Sequence, residues 1–128
     1  MQFAYTILYV QDVAQSVSFY EQAFGLTRRF VHESGTYAEM ETGATTLAFA
    51  QADFMRGNLP AGFQPNDPGR PPAGLEIAFT TPDVPAAYVR AVTAGAAEVA
   101  RPALKPWGQQ VGYVRDRDGV LVEIASPM

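Results

Sequence analysis

Two side chains in the stretch PWGQQVGYVRDRDGVLVEI, Pro106 to Ile124, bring chemistry with them. Glu123 lies near the end of a strand-like run and offers a hard oxygen ligand or a general acid-base group. Trp107 is the only tryptophan of the 128 residues. It follows Pro106 and precedes Gly108, so it falls on a corner, where an indole can stack on a flat molecule. Asp116 and Asp118 shape the turn between the two strands. Elsewhere reactive groups are scarce. His32 is the single histidine and reads as a surface or structural residue, and nothing in the sequence places Ser16, Ser18, Ser34 or Ser126 beside it. The absence of cysteine removes disulfides, thiolate metal sites and a thiol nucleophile. There is no P-loop and no G-x-S-x-G elbow.

The length suits one domain or two small halves sharing a core. A hydrophobic content of 48 % is enough for a real core and too high for a disordered chain. The net charge of -4 comes without any basic cluster, which argues against nucleic acid as a partner and favours neutral or cationic ones. No apolar run is long enough to span a membrane. The opening MQFAYTILYV has no basic residue and no small-residue cleavage site, so the expectation is a soluble cytoplasmic protein.

The elements that must position Trp107 and Glu123 come in a repeat. QFAYTILYV reads as a strand, rich in β-branched and aromatic residues. Val13, Val17, Tyr20 and Phe24 then fall at helical spacing, between a capping Asp12, with Gln15 completing a capping box, and a terminating Gly25. Three strands follow, near 26–33, 37–41 and 45–51, separated by Ser34-Gly35 and Thr42-Gly43. The pattern recurs: a strand in GLEIAFTT, then a helix near 84–94 opened by Asp83 and Pro85 and closed by Gly95. Strands near 98–102, 110–115 and 120–125 complete it. Asp12 matches Asp83, Gly25 matches Gly95, Tyr37 matches Tyr113 and Gly43 matches Gly119, at offsets of about 70 to 76 residues.

The expectation is an α+β fold of two βαβββ modules in pseudo-twofold repeat, forming one compact domain with a curved, cleft-bearing mixed sheet. The modules span 1–55 and 74–128. Residues 56–73 form a Pro/Gly-rich linker loop, RGNLPAGFQPNDPGRPPA, which reads either as plain tether or as a pocket-edge loop. Phe54, Met55 and Phe63 would be wasted in a purely solvated linker.

These residues resemble a known family. ILYVQDVAQSVSFYEQAFGL is similar to the opening module of the vicinal oxygen chelate superfamily, and PWGQQVGYVRDRDGVLVEIASP to its closing hairpin. The superfamily includes glyoxalase I, extradiol dioxygenases, fosfomycin-resistance enzymes and bleomycin-resistance proteins. The resemblance implies two modules around a U-shaped cleft, usually in a homodimer. It also implies four metal-ligand positions in the metal enzymes, which fall here on Tyr5, Leu47, Glu76 and Glu123. The repeat offsets of 71 and 76 residues relate Tyr5 to Glu76 and Leu47 to Glu123. Leucine cannot ligate, tyrosine seldom does, and the imidazoles that suit zinc, nickel or iron are absent.

Two readings follow. The first is a metal-free protein of the bleomycin-resistance kind, without cofactor or catalytic residues, that sequesters a planar or cationic small molecule. Its ligand-binding residues are Trp107, Tyr5, Glu76, Glu123, Leu47, Phe49 and Tyr9. By strand alternation Ile7 joins them, Phe79 and Ile124 face the helices, and Tyr113 is unassigned. The second is a divergent glyoxalase-like metalloenzyme (lyase, isomerase or dioxygenase) using Glu76 and Glu123, which could also serve as an acid-base pair.

Overall fold

Asp12 and Asp83 start the two long helices in the same way. The Asp12 carboxylate accepts from the backbone N–H of Gln15 at 3.1 Å, and the Asp83 carboxylate accepts from that of Ala86 at 3.1 Å. Each satisfies one of the N–H groups that a helix start leaves without a partner. The computed structural model describes residues 1–128. In chain order the elements are β1 (Tyr5–Val10), α1 (Val13–Phe24), β2 (Thr27–Val31), β3 (Tyr37–Glu41), β4 (Thr46–Gln51), α2 (Ala52–Arg56), β5 (Ile77–Thr80), α3 (Val84–Thr93), β6 (Ala97–Leu104), β7 (Gln110–Arg115) and β8 (Leu121–Ala125). Gly25 ends α1 in the left-handed conformation, at φ 69°. α3 ends on Ala94, with Gly95 just beyond it taking a positive φ. The one helix the sequence did not announce is the five-residue α2.

Two mixed sheets result, of order β1-β4-β3-β2 and β5-β8-β7-β6. In each, the first strand pairs in parallel with the last strand of its module, and the other neighbours are antiparallel. The fold is α+β, built of two similar βαβββ modules. No helix is long and apolar enough to cross a membrane.

The chain divides into two compact units. One holds Met1–Glu21 with Gly25–Pro65, the other Gln22–Phe24 with Asn66–Met128. In the first, Val13, Val17 and Tyr20 of α1 are fully buried together with Val10, Met40 and Phe49 of the sheet, with the Tyr20 and Phe49 rings 5.0 Å apart. In the second, Val84 of α3 is buried with Val111, Val114, Val122 and Ile124. Each such side chain contributes roughly 1.5–3 kcal/mol by leaving water.

The Pro/Gly-rich segment is tied down at both ends. In the first unit Phe63 packs edge-on against Tyr9, ring centroids 4.9 Å apart, and the Arg56 guanidinium lies 4.9 Å above the Phe63 ring. In the second, Arg115 donates to the carbonyl oxygens of Asp67, Pro68 and Gly119. Gly119, at φ 94°, is pressed against this segment: a Cβ there would lie 2.8 Å from Asp67 C and Pro68 N.

Gly119→Ala should therefore cost more than Gly43→Ala, whose φ of 87° is similar but whose Cβ would meet nothing. Backbone strain of about 1–3 kcal/mol applies to both, and the steric term only to Gly119. Urea unfolding of the two variants measures the difference; equal losses would mean that the linker does not rest on this turn.

Candidate functional site

Strand alternation decides which side chains are available, because a helix covers one face of each sheet. In the second unit Gly112 of β7 faces α3, since a Cβ there would touch Tyr88. Its cross-strand partner is Ile124, and Ile124 in turn lies beside Phe79 of β5. Phe79 and Ile124 thus face the helix, as alternation implied. Glu123 points the other way, with Ala78 beside it on β5 and Tyr113 opposite it on β7.

Glu123, Glu76 and Tyr113 meet on this helix-free face. The Tyr113 hydroxyl donates to Glu123 Oε2 at 3.1 Å. A hydrogen bond to Glu123, then desolvation and the adjacent negative charge, push the Glu76 pKa upward. The physical cause is that two carboxyl groups side by side cannot both ionise cheaply. Burial, with the bond to Glu123, also raises the Tyr113 phenol. Tyr113, unassigned by sequence, is thus a member of the cluster; its place directly across the hairpin from Glu123 was the available signal.

The first unit places its residues differently from expectation. Tyr5, Ile7 and Tyr9 of β1 lie beside Thr46, Ala48 and Ala50 of β4, on the helix-free face. Leu47 and Phe49 lie beside Thr6 and Leu8, and Phe49 packs on Tyr20 of α1. Leu47 and Phe49 are therefore core residues turned toward the helix, and they do not share a face with Tyr5 and Tyr9. The cause is a one-residue slip in the repeat. Glu123 lies beside Ala78, two residues on from Glu76; the matching residue beside Ile7, two on from Tyr5, is Ala48. The counterpart of Glu123 is Ala48 and not Leu47. The partners Tyr37 and Ala50 enclose an even number of residues, whereas Tyr113 and Glu123 enclose an odd number, and a slip of one exchanges the faces.

The helix-free face of the first sheet carries its own polar cluster. Glu39, only 9 % exposed, accepts from the Tyr37 hydroxyl at 2.8 Å and from Arg29 at 2.9 Å. Arg29 also bonds both Glu41 carboxylate oxygens, at 2.5 and 3.2 Å, and Thr46 Oγ1 at 3.2 Å. Burial, then the Glu39 bond, push the Tyr37 phenol up to about 12. Arg29 holds Glu41 below the usual carboxylate range.

Trp107 occupies the turn closed by the bond from Gly108 N–H to Lys105 O, with Gly108 at φ 98°. Its indole N–H donates to Gln109 Oε1 at 2.8 Å, and Gln109 Nε2 donates to Ser126 O at 2.7 Å. The polar edge is satisfied and the ring remains 59 % exposed. His32 is a turn residue. Its Nδ1 lies 2.7 Å from Ser34 Oγ and accepts from Ser34 N–H, and Ser34 Oγ continues to Thr36 Oγ1. Ser34 is thus beside the histidine after all, because the turn folds back over two residues; the contacts close the connection between β2 and β3.

The four-ligand metal set that the resemblance implies does not fit these residues. Leu47 has no donor atom and faces the helix, and no three histidine, aspartate or glutamate side chains converge on one point.

The model of the Glyoxalase/Bleomycin resistance protein/Dioxygenase superfamily matches residues 2–124. No curated protein matches the chain closely enough to mark a relative. Among solved structures, a glyoxalase-related enzyme from Fulvimarina pelagi has 23% identity and a TM-score of 0.84, over 99% of this chain and 88% of that one. A glyoxalase/bleomycin resistance protein/dioxygenase family enzyme from Burkholderia phytofirmans PsJN has 18% identity and a TM-score of 0.82, over the whole of both chains. At such identities the likeness concerns the fold.

Two outcomes check this description. Leu47→Ala should cost about 2–5 kcal/mol of stability as a core truncation, whereas Tyr5→Ala, at a position 51 % exposed, should change it by about 0.5 kcal/mol or less. Similar costs in denaturant titrations would reverse the face assignment.

The second concerns pH. The folded state raises the Glu76 pKa, so its stabilisation is complete below the unfolded value and is lost as pH rises through the folded one. Glu76→Gln keeps a donor toward Glu123 at every pH. Its melting temperature should match that of the parent near pH 4 and equal or exceed it at pH 8; a variant less stable at pH 8 would show that the two carboxyl groups do not share a proton.

Proposed function

The chain belongs to the Glyoxalase/Bleomycin resistance protein/Dioxygenase superfamily, and from that premise we propose that it is a metal-free binding protein that sequesters a planar, cationic small molecule. The observation that carries this reading is the Glu76–Glu123 pair on the helix-free face of the second sheet. None of the chain's ion pairs includes either carboxylate. The first sheet indicates what such an arrangement accepts. There two glutamates, Glu39 and Glu41, receive the flat guanidinium of Arg29, and the Tyr37 hydroxyl donates to Glu39. In the second sheet Tyr113, Glu123 and Glu76 offer a similar set of groups, and on this reading the ligand supplies the cation. Charge-assisted bonds of this kind are the strong ones.

Trp107 serves as the stacking surface in this proposal. Gln109 anchors the indole to Ser126, three residues beyond Glu123, which is roughly 10 Å along a strand. A ligand of two or three fused rings spans such a length. In this reading the protein acts as a homodimer, each sheet having two edge strands that a partner can cover.

Calorimetric titration with proflavine, a flat cation, and with acridone, its neutral counterpart in shape, tests the reading. Proflavine should bind more tightly and quench Trp107 fluorescence. Replacing both Glu76 and Glu123 by glutamine should weaken proflavine by about ten-fold or more, given about 1.5–3 kcal/mol for a hydrogen bond to a charged group, and leave acridone nearly unchanged. Trp107→Phe should weaken both by a few-fold, for about 0.5–1.5 kcal/mol of stacking. Equal losses for the two dyes in the glutamine variant would refute a cation site, and a tight stoichiometric metal in the purified protein would favour a metalloenzyme instead.

A further inference from the structure

Helix α3 carries two apolar stripes, and the sheet covers only one. Val84, Tyr88 and Ala91 are buried, at i, i+4, i+7 spacing. Pro85, Val89 and Val92 form the neighbouring stripe at the same spacing, with Val89 63 % exposed. Facing it, β6 leaves regular pairing with β7 twice, between Glu98 and Ala100 and between Ala100 and Ala103. Pro102, with no N–H for the ladder, lies in the second irregularity. Between this part of β6 and the second stripe lies a groove of about 460 Å³, within the range of small-molecule sites.

The floor of the groove is closely built. A Cβ on Gly112 would come 3.1 Å from both Pro102 Cγ and Tyr88 Cδ2, so the phenol ring and the pyrrolidine rest directly on the β7 backbone. The polar groups stand around this floor. Glu98 accepts from the Tyr88 hydroxyl at 3.3 Å and pairs with Arg101 at 3.5 Å, and Gln110 adds an amide. The two charges offset each other, unlike those of the Glu76–Glu123 pair.

We propose that this groove is a second small-molecule site, independent of the carboxylate pair, and that it takes a compact neutral aromatic molecule with one hydrogen-bonding group, a phenol or an aryl amide. The flat floor and the valine wall match a ring. Glu98 and Gln110 match a hydroxyl or an amide. An ion of either sign would have to compete with the Glu98–Arg101 pair. The volume holds one or two rings and is too small for a helix.

Titration of para-cresol into the ¹⁵N-labelled full-length chain, followed by amide shifts, tests the proposal. Saturable shifts are expected at Val89, Val92, Glu98 and Gln110, with benzoate and benzylammonium at least ten-fold weaker. Val89→Trp, at an exposed helix position, should fill the groove and abolish the shifts without lowering the melting temperature. The Glu76→Gln, Glu123→Gln double variant should leave them intact, so that failure of the cation site and failure of this one are separable. The proposal is overturned if para-cresol causes no shift up to its solubility limit, if charged probes bind equally well, or if the shifts persist in Val89→Trp. It is also overturned if the same amides shift when the protein alone is concentrated, since a second copy would then cover the groove.

Discussion

Each sheet has one face that a helix must cover, and the parallel pairing of β1 with β4 and of β5 with β8 fixes which residues that face contains. Parallel neighbours in register point the same way. Once Leu8 and Val10 turn inward toward α1, Leu47 and Phe49 follow, while Thr46, Ala48 and Ala50 turn outward with Tyr5, Ile7 and Tyr9. The same logic sends Val122 and Ile124 toward α3 and leaves Glu123 on the other side. The site chemistry depends on this parity more than on any single bond, because a shift of one residue would bury the carboxylate and expose a valine.

That dependence explains what could be read from the sequence. The helices announced themselves through caps and spacing, and Asp12, Asp83 and Gly25 act as their residue types require. The family came from motifs that span the chain. Glu76 and Glu123 came together as the resemblance implied. What failed was the transfer of a repeat offset across a hairpin. The 76-residue spacing relates Tyr37 to Tyr113 and Gly43 to Gly119 in the sequence, yet the β3–β4 and β7–β8 hairpins enclose even and odd numbers of residues between partners, so the pair Glu39–Ala48 stands where Tyr113–Glu123 does, and Leu47 inherited a role its backbone position does not allow. Turn parity depends on hydrogen-bond pairing that no residue type in those turns declares. The α2 helix was similarly hidden, because five residues are too few for periodicity.

The two helix-free faces solve one electrostatic problem in different ways. Both place a tyrosine hydroxyl on a glutamate that has a second glutamate close by. On the first sheet Arg29 neutralises the pair, and the half-buried Tyr37 phenol is held far from ionisation. On the second, no cation stands beside the pair, and the bond to Glu123, burial and the adjacent charge push the Glu76 pKa upward. The first cluster thus carries its counter-ion within the chain. The second has none, so a positive charge brought to it would meet two carboxyl groups that no internal cation already pairs.

Arg115 holds the proline-rich segment through backbone carbonyl oxygens, those of Asp67 and Pro68, and reaches Gly119 in the same manner. Every residue type carries such an oxygen. The grip is therefore blind to the side chains of the segment it holds, and constraint falls on Arg115 and Gly119 instead. Sequence drift at Asp67 and Pro68 can proceed with little structural consequence provided those two positions stay fixed, so at this end the heritable information for loop placement sits in the hairpin, whereas the other end depends on the ring of Phe63 itself.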